Sequence, residues 1–114
     1  MPFIDLKTTA KITLDKEEIL RKEFGKIITL IPGKTERWLM LNFSGDCRMA
    51  FAGTADNDTA YVNVELLGSA SDAVYDKLTK AICDTVSDTL GVPYNRIYVK
   101  YEECEHWGYA GENF

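Results

Sequence analysis

The chain has 114 residues, 46% of them hydrophobic, and 18 acidic against 13 basic side chains give a net charge of −5. That length makes one domain over residues 1–114, able to bury roughly two-thirds of its unfolded surface. An acidic balance without a lysine or arginine cluster argues against a nucleic-acid partner. No run approaches the ~20 apolar residues of a membrane span and no basic-then-apolar leader begins the chain, so a cytoplasmic protein, or one exported without a signal peptide, is expected.

The first two residues are Met1-Pro2. An initiator methionine before a small residue is a substrate for removal, which leaves Pro2 as a free secondary amine on a rigid ring. An α-amine titrates near ~8, and burial or a nearby cation moves it lower, to the working pH where a general base is most effective. Many chains begin Met-Pro without chemical purpose, so the remaining residues must decide.

Phe3 to Thr8 alternates, with Ile4 and Leu6 on one face and Phe3 and Asp5 on the other, as a strand does. The spacing then predicts a helix from about Asp15 to Leu30. Asp15 and Glu18 form a capping box, Leu20, Phe24, Ile27, Ile28 and Ile31 make one apolar stripe, and Pro32-Gly33 ends it. Trp38–Phe43 and Ala60–Leu66 read as strands. A second helix is predicted from Asp72 to Leu90, capped by Ser69 or Ser71, facing inward through Val74, Leu78, Ala81, Ile82, Thr85, Val86 and Thr89, and stopped by Gly91. Ile97–Tyr101 is the last strand.

The order is α+β, two tandem β-α-β units (β-α-β-β-α-β), with both helices on one face of a four-stranded mixed sheet. Arg37 and Arg96 end similar turns and read as counterparts in the two units. The other sheet face, with Phe3, Tyr61 and Val99 assigned to it, is left bare and predicts burial against further copies of the chain. Cys47, Cys83 and Cys104 are odd in number and lack a Cys-x-x-Cys pair, which reads as reduced thiols, with Cys83 a buried apolar one. His106 beside Glu103, Cys104 and Glu105 is the single histidine, and consecutive residues do not all face one ion, so no metal site is expected.

Several segments resemble the macrophage migration inhibitory factor and D-dopachrome tautomerase family of the tautomerase superfamily. They are Met1-Pro2-Phe3-Ile4, Gly33-Lys34, Met49-Ala50-Phe51-Ala52-Gly53-Thr54, Leu66-Leu67-Gly68, Asn95-Arg96-Ile97-Tyr98-Val99-Lys100-Tyr101, and the tail from Trp107-Gly108-Tyr109 to Asn113-Phe114. The likeness spans essentially the whole chain. It implies a homotrimer with active sites between subunits and a cofactor-free keto–enol tautomerisation of an aryl α-keto acid, of the phenylpyruvate or dopachrome type. Pro2 would be the base and Lys34 would hold the substrate carboxylate. Leu67, with Leu66 beside it, would offer backbone at the rim. Tyr98 would come from a neighbouring subunit, and Trp38, Trp107, Tyr109 and Phe114 would line the mouth. Lys100 replaces an asparagine of the vertebrate cytokine members and adds a second cation beside Lys34. The Cys-x-x-Cys of those members is Asp56-Asn57-Asp58-Thr59 here, so their thiol-oxidoreductase activity has no residues to run on.

Each of these residues also has a plainer reading. Lys34 suits a helix end, Tyr98 and the tail aromatics suit packing, and Lys100 suits a sheet edge. Two competing functions follow. One is a cytokine-like, receptor-binding homologue with a vestigial pocket. The other is dehalogenation or decarboxylation of a small unsaturated acid, which usually needs an extra acid or an arginine pair to activate water, and Arg37 and Arg96 are occupied in the duplicated turn.

Overall fold

The computed structural model describes residues 1–114, and its sheet is built around the first strand, β1 (Pro2–Thr8). The strand order is β2-β1-β3-β4, so β1 is paired on both sides. It runs parallel to β2 (Met40–Ser44) and antiparallel to β3 (Ala60–Leu67), and β3 runs parallel to β4 (Ile97–Cys104). A parallel neighbour requires a crossover, and each unit supplies one: α1 (Leu14–Ile27) between β1 and β2, α2 (Asp72–Leu90) between β3 and β4.

Both helices lie on one face of the sheet. Ile4, Leu6, Val62, Val64 and Leu66 from the strands meet Leu20, Phe24, Ile28, Leu78, Ile82 and Val86 from the helical side in one core. Cys83 is buried at its margin, and burial pushes its thiol pKa up. Phe24 stacks on Phe43, with ring centroids 6.3 Å apart.

The helix ends differ in detail from the sequence reading. Thr13, not Asp15, caps α1, its hydroxyl accepting from the Lys16 N–H at 3.3 Å. Asp15 sits inside the first turn, where a carboxylate suits the helix dipole. The regular α-helix stops at Ile27, and a 3-10 turn continues the apolar stripe through Leu30. Ser71 is the cap of α2 and Gly91 its left-handed stop.

The bare sheet face needs two corrections. Val99 pairs with Val62 and therefore points to the helices, where it packs on the core. The face carries register rows of Phe3 with Met40, Glu65 and Glu102, then Asp5 with Asn42, Asn63 and Lys100, then Lys7 with Ser44, Tyr61 and Tyr98. It is mainly polar, laced by Lys7–Asp5 and Lys100–Glu102 ion pairs, rather than an alternating apolar surface.

Trp38 is likewise not in a strand. It ends a 3-10 turn over Glu36–Trp38, matched in the second unit by the turn Tyr94–Arg96. Position for position, Arg96 corresponds to Trp38, and Arg37 corresponds to Asn95. Arg96 is buried and donates to the backbone carbonyls of Phe51, Thr54, Asn57 and Asp58 at 3.0–3.3 Å, clamping that loop to the sheet. Replacing Arg96 with Met leaves those carbonyls without their donors. It is expected to lower the unfolding free energy by about 3 kcal/mol in a urea titration. A loss below about 1 kcal/mol contradicts the clamp.

Candidate active site

Pro2 can start a central strand because it has no N–H to pair, and the first strand position is where that loss matters least. It is buried, faces Leu66 across the β1–β3 ladder, and is followed by a continuous run of paired residues. The chain terminus is thereby fixed at the end of the sheet. The Leu67 N–H donates to the Met1 carbonyl at 3.1 Å, and the Leu67 carbonyl accepts from Lys34 Nζ at 2.8 Å.

Lys34 reaches that point because the chain reverses just before it. Gly33 adopts φ +81°, a conformation that a side chain disfavours, and the Lys34 N–H closes the turn on the Ile31 carbonyl at 3.0 Å. Burial, followed by the charge of the Lys34 ammonium, lowers the Met1 α-amine from its ordinary 8.0 to about 6. Both effects disfavour a positive charge there.

Beside this terminus lies a cleft of about 370 Å³ lined by Met1, Pro2, Arg37, Trp38, Leu39, Met40, Trp107, Gly108 and Tyr109. Its outer wall is aromatic. Trp38 meets Tyr109 edge-on, ring centroids 5.0 Å apart, and Phe114 at 6.3 Å. A hairpin that the sequence reading missed holds this tail in place: β5 (Gly108–Tyr109) pairs with β6 (Glu112–Asn113), and the Phe114 N–H donates to the Trp107 carbonyl at 3.0 Å. Its turn, Ala110-Gly111, has positive φ at both residues, as a tight hairpin requires. Asn-Gly or Asp-Gly would have signalled that turn in the sequence; Ala-Gly does not.

Pro2, Trp38, Trp107 and Tyr109 thus share one cleft, with Phe114 against its wall and Lys34 beside the terminus. Leu66 is fully buried in the core and offers the cleft no side chain. Both backbone groups of Leu67 are engaged, one by Met1 and one by Lys34. Tyr98 and Lys100 lie elsewhere. Tyr98 packs on Phe51 near the start of β4, roughly 16 Å along the strand from the level of Pro2 at about 3.3 Å per residue. Lys100 is on the bare face, 2.9 Å from the Glu102 carboxylate, and within one chain it is not beside Lys34. The residue the sequence reading passed over is Arg37, which lines the cleft rather than repeating the buried Arg96.

The model of the macrophage migration inhibitory factor (MIF) family matches residues 1–113. The chain belongs to this family. Its fold is that of the tautomerase superfamily. The structure is similar to that of Leishmania major MIF2, at a TM-score of 0.93 and 31% identity, covering 100% of this chain and 97% of that one. It is also similar to the MIF homologue of Prochlorococcus marinus, at 0.89 and 25%, covering 98% of both chains. Toxoplasma gondii MIF shares the fold at 0.89 and 23% identity, over 98% of this chain and 99% of that one. No curated protein matches the sequence. MIF-family proteins are typically homo-oligomeric.

The folded chain binds the terminal proton less tightly than the unfolded chain, so the sign of the linkage is fixed. In protein that retains Met1, folding stability should rise with pH between about 6 and 8 and level off above. Lys34→Met removes a cation and should move the α-amine pKa upward, read from the pH dependence of amine acylation at Met1. An unchanged or lower value contradicts the placement of Lys34.

Proposed function

We propose that this chain is a keto–enol tautomerase of aryl α-keto acids, of the phenylpyruvate or dopachrome type, with Pro2 as general base once Met1 is removed. The observation that supports this best is the position of the terminus: an amine at the head of a central strand, in a partly apolar cleft, with a cation nearby and a depressed pKa. With Met1 attached, the Pro2 nitrogen is an amide and has no basic lone pair. With Met1 removed, the Pro2 nitrogen becomes the terminal amine at that end of β1, where Pro2 is itself buried and Lys34 is held nearby on the Leu67 carbonyl.

In the proposed reaction, the neutral Pro2 nitrogen takes a proton from the carbon beside the keto group. The C–H electron pair becomes the new C=C bond, and the carbonyl π pair moves onto oxygen. The Pro2 ammonium then returns that proton to the oxygen, giving the enol and restoring the neutral base, and the reverse steps return the keto form. Lys34 pairs with the substrate carboxylate and offsets the charge of the enolate, which is greater in the transition state than in the ground state. Trp38, Trp107, Tyr109 and Phe114 favour a flat aromatic group and keep water from the enolate. Tyr98 stands far from Pro2 within one chain, and in a homotrimer it is supplied to the cleft of the neighbouring subunit, where its hydroxyl can donate to the substrate. Lys100 would approach the same cleft from that neighbour. Cytoplasmic residence with a small-molecule substrate fits this reading, and export without a signal peptide fits a family member that also meets a receptor.

With Met1 removal verified by intact mass, the wild type is expected to interconvert keto and enol phenylpyruvate, followed by enol absorbance. Pro2→Gly should reduce kcat by at least about 100-fold while the assembly stays intact by size-exclusion chromatography. Full activity in Pro2→Gly would sink the proposal. Binding to a receptor that survives the substitution would favour the cytokine-like reading.

A further inference from the structure

Arg37 is the one arginine in the cleft wall, and none of the six ion pairs in the chain includes it. Its neighbour Glu36 is the obvious partner and is turned away. The Glu36 carboxyl lies against Gly25 of α1, so closely that a Cβ built at Gly25 would stand 2.7 Å from Glu36 Cδ and Oε2. A glycine at position 25 is what lets this carboxylate fold onto the helix. The guanidinium takes the other direction and lies 5.3 Å over the Trp38 ring, next to the tail aromatics. A cation–π contact with an indole face uses none of the guanidinium N–H donors, so they stay available to a ligand.

Two cations thus stand near the chain terminus in different settings, Arg37 in the cleft wall and Lys34 outside that lining. Lys34 reaches the Leu67 carbonyl beside the chain terminus, whereas Arg37 stands on the aromatic wall. A substrate with one carboxylate at the Lys34 end would cover Arg37 without pairing it. A substrate with a second acid group at its far end would pair both.

We propose that Arg37 is a specificity-determining residue that binds a second carboxylate, and that this chain prefers 2-oxo acids bearing another acid group at the end remote from the keto acid. A planar carboxylate matches the guanidinium fork in two parallel hydrogen bonds, which a neutral aromatic ring cannot accept. This inference deepens the tautomerase reading and rests on it for the identity of the reacting end, while the anion site itself stands on the geometry of Glu36, Arg37 and Trp38.

The test compares phenylpyruvate with 4-carboxyphenylpyruvate as substrates of the trimmed protein, and benzoate with terephthalate as unreactive ligands by calorimetry. The diacid should have the higher kcat/KM, mainly through KM, and terephthalate should bind tighter than benzoate. In Arg37→Gln the diacid-to-monoacid ratio should fall roughly tenfold, about one charge-assisted hydrogen bond. Arg37→Lys keeps the charge and should retain part of the preference. If the ratio and the terephthalate preference are both unaffected by Arg37→Gln, the proposal is overturned. If neither keto acid reacts but terephthalate binding depends on Arg37, the anion site stands and the tautomerase reading fails.

Discussion

Everything at the candidate site depends on β1 being a central strand. A chain terminus is normally the least ordered part of a domain, because nothing holds it. Here residues 2–8 pair with β3 and residues 3–7 pair with β2 as well, and every second side chain is buried under the two helices. Moving the terminus would require breaking two ladders and exposing Ile4 and Leu6. A flexible amine would pay an ordering cost at each turnover; one held by the sheet is already oriented. Proline is the residue that fits at this position, since it can head the strand without wasting a donor.

The two β-α-β units use one turn design for different ends. Each has a 3-10 turn leading into its second strand. In the second unit the last turn residue is Arg96, which is buried and satisfied by four backbone carbonyls of one loop. In the first unit the same position holds Trp38, which lies at the surface with the tail hairpin against it. The residue before it, Arg37, is then left above the indole. A duplicated scaffold thus provides one structural arginine and one that faces the cleft.

Much of this was legible in the sequence because it depends on local periodicity. The two helices, the four strands, the inward stripes of Leu20–Ile31 and Val74–Val86, and the stop at Gly91 follow from spacing alone. What escaped depended on register or on tertiary contact. Val99 alternates like an outward residue of a strand, and only pairing with Val62 shows which face it takes. Thr13 and Asp15 are both good caps, and the choice rests on where the chain leaves β1. The duplicated turns differ by one residue in alignment, enough to mistake Arg37 for the counterpart of Arg96. The resemblance in the N-terminal, Gly-Lys and tail segments identified the family that residues 1–113 match. Within one chain the structure gathers Pro2, Trp38, Trp107 and Tyr109, while Tyr98 and Lys100 lie on the open sheet face away from that cleft.

The most direct test of the central claim is the pH dependence of kcat/KM for phenylpyruvate with the trimmed protein. A strand-held proline amine beside Lys34 predicts a rising limb with an apparent pKa below the ~8 of a free α-amine. A limb at or above ~8, or a rate that does not follow the deprotonation of the terminus, would contradict it.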